Sequence, residues 1–272
     1  MKPSPGRPIV TLTTDFGAAD HYVGTMKGVL LARCPEVEII DISHEIAPFS
    51  IHAGAYTIDQ AAPYFPRKTV HVVVVDPGVG TARKPLLLEA LGQYFIAPDN
   101  GVLSMVASRA GNTVAREITN RNLWSDTVSS TFHGRDVFAP VAAAIASGQA
   151  KPRDVGPALA QIVTLADLQP REIKRGQWRG RVLSVDHFGN VITNFPRAAF
   201  EKIASSRFGL LIRGQRITTF QPTFGAASKR ECFAYFGSSG FIEIGMNQQS
   251  AASGLNVKTG DPVTLTLLDL LK

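Results

Sequence analysis

The run Val70-His71-Val72-Val73-Val74-Val75 constrains this chain more than any other segment. Five valines with no polar alternation read as a strand buried on both faces. Such a strand needs a covering layer on each side, as in an α/β architecture. It is followed by Asp76, then Pro77-Gly78-Val79-Gly80-Thr81-Ala82, and then Arg83. Ligands of open α/β sheets bind outside the carboxyl ends of the strands, so Asp76 stands where a reactive group would be placed. The same residues also suit an ordinary turn, with Pro fixing φ and Gly supplying positive φ.

The segments before it alternate in type. Ile9–Thr13 reads as a strand, and Asp20 is a candidate cap for a helix to Arg33 with Val23, Met26 and Leu30 on one face. Val37–Asp41 reads as a second strand and Ser50–Ala62 as a second helix closed by Pro63. The order up to Val75 is βαβαβ. Beyond it, Leu86–Ala90 and Tyr94–Ala97 flank a Gly92 turn, Gly101–Ser108 suits a short helix, and Val114–Ile118 a strand, which predicts a mixed sheet. Gly134–Ser147 predicts one continuous helix, after which Gly148, Pro152, Gly156 and Pro157 punctuate the chain. From Gly176 the pattern is Arg181–Val185, Val191–Asn194, Leu210–Ile212, Arg216–Thr219, Cys232–Phe236, Phe241–Met246 and Val263–Leu267, short strands that suit a small barrel or sandwich.

Composition narrows the functional classes. Hydrophobic residues make up 44% of the chain and charged residues 18%, which excludes a disordered chain. Val137–Ile145 and Val70–Val75 are far shorter than the ~20 residues that span a bilayer. Met1 to Arg7 lead into the first strand without an apolar signal region, so a cytoplasmic protein is expected. Cys34 and Cys232 have no Cys-x-x-Cys spacing, so neither a disulfide framework nor a zinc site is indicated. The net charge is +6, but Lys and Arg are scattered, with short clusters only at Lys174-Arg175 and Lys229-Arg230, and no nucleic-acid partner is expected.

Polar clusters stand at the predicted strand ends and turns: Asp15 to Asp20, Asp76 with Arg83, His133 with its neighbours, and Asp186-His187-Phe188-Gly189-Asn190. Residues 16–20 lack the glycine spacing of a dinucleotide fold and the lysine of a phosphate loop. Each cluster has a plain structural alternative. Asp15 and Asp20 are turn and cap residue types, residues 186–190 suit a hairpin turn, and Arg135 with Asp136 suits an exposed ion pair of small energetic worth.

Taken together, Asp15-Phe16-Gly17, the run 76–81 with Arg83, Phe132-His133-Gly134-Arg135-Asp136, the run 186–194 and Ser238-Ser239-Gly240 resemble the S-adenosyl-L-methionine (SAM) hydroxide adenosyltransferases, relatives of the fluorinase and chlorinase enzymes. The motifs occur in the same order over nearly the whole chain. The resemblance implies an N-terminal three-layer α/β domain, residues 1–165, with a mixed, mostly parallel sheet carrying the water-activating residues. It implies a C-terminal all-β, barrel-like domain, residues 176–272, contributing adenine and methionine contacts. It also implies that water or hydroxide attacks C5′ of SAM, giving adenosine and L-methionine, in a homotrimer with sites between subunits.

Residue by residue, Asp76, Arg83 and His133 match the family's water-activating set. Asp15 matches the carboxylate that holds the ribose hydroxyls, and Asp20 and Asp186 match positions near the methionyl ammonium. Asn190 matches the adenine-reading asparagine, and Phe49 and Phe132 match apolar lining positions. An Asp–His contact is expected to take or hold the nucleophile's proton, with the choice of acceptor within the set left open, while the Arg83 guanidinium stabilises developing hydroxide. Because a sulfonium leaves as a neutral thioether, neither metal nor cofactor is expected. The halide-using relatives lack the Asp/Arg/His set and place hydroxyl or aromatic groups where this chain has Pro77, Gly80 and Gly134, so hydrolysis is expected over halogenation. Met246-Asn247-Gln248 stands where those relatives hold the methionyl carboxylate with Ser-Arg, and Asn247 or backbone amides are expected to replace that contact. A SAM-binding protein without turnover is the alternative outside catalysis, and it leaves Arg83 and His133 without a task.

Overall fold

A computed structural model describes residues 6–270; the expectation drawn from Met1 to Pro5 lies outside the described residues. By internal contacts the chain divides between Leu165 and Ala166 into two compact units.

The first unit runs β1 (Ile9–Thr14), α1 (Tyr22–Arg33), β2 (Glu38–Ser43), α2 (Ile51–Ala61), β3 (Val70–Val74), β4 (Pro85–Ala90), β5 (Gln93–Pro98), α3 (Ser104–Ala110), β6 (Val114–Glu117), α4 (Ala139–Ala146) and β7 (Ala158–Leu159). The seven strands form one sheet in the order β2-β1-β3-β5-β4-β6-β7. The first four in that order are mutually parallel, and β4 pairs antiparallel with both β5 and β6. Burial of β3 on both faces explains the layers. Val70, Val72 and Val74 pack with Met26 and Leu30 of α1 and Val141 and Ile145 of α4. Val73 faces the other way, toward Ile58 of α2 and Val106 of α3.

Two local expectations are corrected. Helix α1 begins at Tyr22, its N-cap His21 makes no side-chain capping bond, and Asp20 is exposed and caps nothing. The predicted helix over 134–147 opens as a π-helical turn, Gly134–Phe138, in which Ala139 N–H donates to Gly134 O. Pro140 has no N–H for the carbonyl of Asp136, and that carbonyl accepts from Ser125 N at 2.9 Å instead.

The second unit continues with β8 (Arg171–Lys174), β9 (Gln177–Val185), β10 (Val191–Pro196), α5 (Arg197–Phe200), β11 (Phe208–Ile212), β12 (Gln215–Ile217), β13 (Cys232–Phe236), β14 (Phe241–Met246), α6 (Ala251–Leu255) and β15 (Pro262–Leu267). The strands are antiparallel, in the order β12-β11-β15-β9-β10-β14-β13 with β8 on β9. The two edges nearly close, since Ala234 N donates to Thr219 O at 2.9 Å and Gln221 N to Ala234 O at 3.0 Å. The result is barrel-like around Val182, Phe195, Leu210, Ile244 and Leu265. Strand β8 escaped the sequence reading because all four of its residues are exposed and carry no apolar alternation.

Cys34 and Cys232 are unpaired thiols, both raised in pKa chiefly by burial. Among the described residues no helix is long and apolar enough to cross a membrane.

His71 on β3 has 0% exposure, stacks on Phe95 with centroids 4.7 Å apart, and meets Thr11 Oγ1 through Nδ1 at 2.7 Å. Burial lowers its pKa to about 4. The unfolded chain therefore takes up a proton from about pH 6.5 downward that the folded chain refuses until about pH 4. This contribution to stability is complete above pH 6.5, declines as the pH falls and levels off below about pH 4, a change on the order of 3 kcal/mol. Urea unfolding of wild type and His71→Leu should show the wild type losing stability relative to the variant across that window. A difference between the two that does not vary with pH would overturn the assignment.

Candidate functional site

Strand β1 connects through α1 to β2 on one side, while β3 lies on its other side, so a crevice opens at the carboxyl ends of β1 and β3. Thr14 is in register with Val74, and the chain delivers Asp15 and Asp76 just beyond them. A cleft of about 440 Å³ lies there, lined among others by Asp15, Phe49, Asp76, Phe132, His133 and Gly134.

Arg83 Nε lies 3.0 Å from each oxygen of Asp76, and its Nη2 donates to Asp76 Oδ2. The same Nη2 stands 2.8 Å from His133 Nδ1. The Asp76 and Arg83 side chains are only 5% and 8% exposed. The expected direct Asp–His contact is replaced by a bridge, in which Arg83 stands between the carboxylate and the imidazole. A guanidinium cannot accept a hydrogen bond, so His133 Nδ1 accepts and Nε2 carries the ring proton. Burial, reinforced by the Arg83 charge, lowers the His133 pKa, which favours this neutral ring. Arg83 also lies over the Phe138 ring, 5.3 Å from its centroid, and its buried Nη1 has no hydrogen-bond partner among the described residues.

Loop strain shapes the rest of the cleft. Asp15 Oδ2 accepts from Phe49 N at 2.8 Å, and Phe49 holds φ +66° and is 73% exposed as a residue. A non-glycine residue in that region carries strain that recurs at functional sites. Phe132 is buried and meets Phe16 and Tyr22 edge to face. Asp136 is 2% exposed, which corrects the expectation of a solvated ion pair. Burial alone would raise its pKa, but bonds from Arg135 and from Ser129 N hold it below the usual carboxylate range. Asp136 thereby anchors the segment that leads to Thr131 and His133. Asp20 does not line the cleft.

The second unit has its own cleft, about 480 Å³, lined by Phe188, Asn190, Phe224, Met246, Gln248, Gln249 and Ser250. Asn190 lies in it, but its Nδ2 donates to Asp186 Oδ2 at 2.8 Å while Asp186 Oδ1 accepts Asn190 N at 2.8 Å. The hairpin-turn reading of residues 186–190 and the ligand reading of Asn190 are therefore compatible, and Asp186 is the brace behind Asn190. Asn247 points elsewhere, its Nδ2 donating to Ala227 O at 2.7 Å, and Gln248 and Gln249 face the cleft instead. Among the described residues, no three His, Cys, Asp or Glu side chains are grouped as metal ligands.

Sequence reasoning missed Tyr22, Thr131, Gln248 and Gln249 as lining residues, and also His44, which ties the Asp15 loop. None has a motif signature; only the fold brings the first four to the clefts and His44 behind the Asp15 loop.

Comparison with known proteins agrees with the two-unit arrangement. Residues 10–156 match the family model described as SAM hydroxide adenosyltransferase N-terminal domain, and residues 180–264 match its C-terminal counterpart. The chain is 39% identical over 263 residues to the (R)-S-adenosyl-L-methionine hydrolase of Salinispora tropica, covering 95% of this chain and 98% of the relative. It is 30% identical to a fluorinase from an Actinoplanes species, covering 97% and 99%. The crystal structure of an uncharacterized conserved protein from Thermotoga maritima superposes with a TM-score of 0.85 at 38% identity, covering 95% and 99%.

The turn between Asp76 and Arg83 depends on Gly80, which holds φ +76° and whose added Cβ would collide with Ser130 O. Gly80→Ala should lower unfolding stability by about 1–3 kcal/mol, whereas at Gly78 a Cβ meets nothing closer than Arg83 Cγ at 3.4 Å. Gly78→Ala should stay within about 0.5 kcal/mol of wild type. Denaturant titration of both variants checks the contrast, and equal losses would refute it.

Proposed function

Because the chain belongs to the SAM hydroxide adenosyltransferase family, we propose that it hydrolyses SAM to adenosine and L-methionine by attack of water at C5′. The observation that carries this reading is the buried Asp76–Arg83–His133 bridge, whose Asp76 and His133 line the cleft. A sulfonium departs as a neutral thioether, so the reaction requires no acid at sulfur, and the difficult partner is water. One water oxygen forms the bond to C5′, the C5′–S bond breaks, and one proton is released.

In this reading Asp76 and His133, which line the cleft, meet the nucleophile, and the buried Arg83 guanidinium behind them stabilises the charge that develops as the proton leaves. His133 with Nε2 protonated is a donor rather than a base, so Asp76, whose carboxylate retains acceptor capacity beyond its bonds to Arg83, receives the proton. Holding water in line behind C5′ contributes further, since orientation alone can be worth roughly 7–11 kcal/mol. Asp15 takes the ribose diol, and Phe49 and Phe132 flank the sugar. Asn190, braced by Asp186, reads the purine. Asp20 and Asn247 have no part in this reading, because the first lies outside the cleft and the second is committed to Ala227. The relatives' name specifies the (R) configuration, and we extend that preference to this chain.

The two clefts carry complementary groups, which supports the family expectation of a homotrimer whose sites combine the first unit of one subunit with the second unit of another. A cytoplasmic protein without a nucleic-acid or membrane partner, and without metal or further cofactor, completes the proposal.

Purified wild type incubated with separated SAM epimers should release adenosine, faster from the (R) epimer, as read by chromatography. Asp76→Ala should slow release by about 10²–10⁴-fold. No adenosine from wild type sinks hydrolysis, and 5′-halo-adenosine formed in chloride or fluoride would move the reading to halogenation. Site sharing has its own test: co-refolding Asp76→Ala with Asn190→Ala in equal amounts should regenerate about a quarter of wild-type sites if sites are shared between subunits. No recovery from two folded, inactive parents would place each site within one chain.

A further inference from the structure

Behind Asp15 lies a polar chain that the reaction as described does not use. The pairing of β1 with β2 shifts register between Leu12 and Thr13, so Leu12 faces Asp41 whereas Thr13 faces Ser43. This bulge brings His44 alongside Thr14, and bulges beside active sites commonly re-aim a side chain. His44 Nδ1 lies 2.8 Å from Thr14 Oγ1, and Thr14 Oγ1 accepts from Phe16 N at 3.3 Å. The His44 carbonyl accepts from Gly17 N at 2.8 Å. His44 Nε2 stands 3.0 Å from Asp41 Oδ1, without the alignment of a hydrogen bond. Lys27 of α1 holds the other Asp41 oxygen at 2.5 Å.

Thr14 and Gly17, on either side of Asp15, are thus bonded to His44, and Phe16 is linked to it through Thr14 Oγ1. The His44 side chain is 11% exposed and lines neither cleft, so it acts from behind. The structure assigns His44 as a positioning residue that fixes the Asp15 carboxylate for the ribose diol, with Asp41 and Lys27 anchoring its ring. The inference rests on the proposed role of Asp15. Its chemistry predicts a binding effect confined to the diol, because Thr14 and His44 touch neither the sulfonium carbon nor the water-activating bridge.

The test compares His44→Ala and Thr14→Val, which remove the same bond from opposite ends, using adenosine and 2′,3′-dideoxyadenosine as calorimetric probes. Each variant should weaken adenosine binding by about tenfold while binding 2′,3′-dideoxyadenosine as wild type does, and His44→Asn should recover part of the loss through its side-chain amide. Thr14→Val, buried and nearly isosteric, keeps the test valid if His44→Ala fails to fold. With SAM as substrate, KM should rise and kcat stay within about threefold. Equal losses for both nucleosides, or unchanged adenosine binding, would overturn the positioning role. Absence of adenosine release by wild type would instead remove the hydrolase reading, and the binding comparison would still decide the role of His44.

Discussion

Burial of β3 on both faces is the constraint from which the first unit follows. Val70, Val72, Val73 and Val74 leave no solvated side, so α1 and α4 must cover one face and α2 and α3 the other. Covering both faces with β1 as the next strand forces the crossovers to leave in opposite directions, and the crevice at their divergence is a consequence of topology. Asp15 and Asp76 then need only follow their strands to meet across that crevice.

What the scaffold supplies in regularity, the site spends in departures from it. The turn to Arg83 needs a left-handed glycine, Phe49 holds a left-handed backbone without being glycine, and the helix behind His133 opens with a π turn. Each aims a polar group that an ideal element would have pointed elsewhere. Burying Asp76 and Arg83 costs desolvation of both charges, offset by a contact in which one guanidinium engages both carboxylate oxygens. Loss of either partner would leave the other charge buried alone, so the pair constrains the fold as well as the chemistry.

The sequence made legible what is local or periodic. The βαβαβ order, the apolar stripe of α1 and the doubly buried valine run follow from side-chain pattern, and Asp76, Arg83 and His133 follow from the order of the motifs. Illegible were features created by pairing or by a single backbone atom. Strand β8 is polar throughout and exists through its register with β9, and β7 is two residues long amid glycines and prolines. The π turn depends on the N–H that Pro140 lacks. Asp20 has the chemistry of a cap, but the helix starts beyond its reach. His44 carries no signature because its meaning comes from a register shift in a neighbouring strand.

The net charge of +6 makes a cationic substrate an unexpected ligand, and the local arrangement resolves the tension. An isolated guanidinium beneath C5′ would repel the sulfonium in a medium of low dielectric, where like charges interact strongly. Paired with Asp76 and next to a neutral His133, it belongs to a unit of no net charge, and Asp15 leaves the cleft negative. The same pairing disfavours a halide, since a neutral unit offers little to compensate a bare anion for its lost hydration. In the proposed reaction water enters without that penalty, and the guanidinium becomes uncompensated only as Asp76 takes the proton. Stabilisation thus appears when hydroxide character develops and not before, which is the condition for lowering a barrier rather than deepening a ground state.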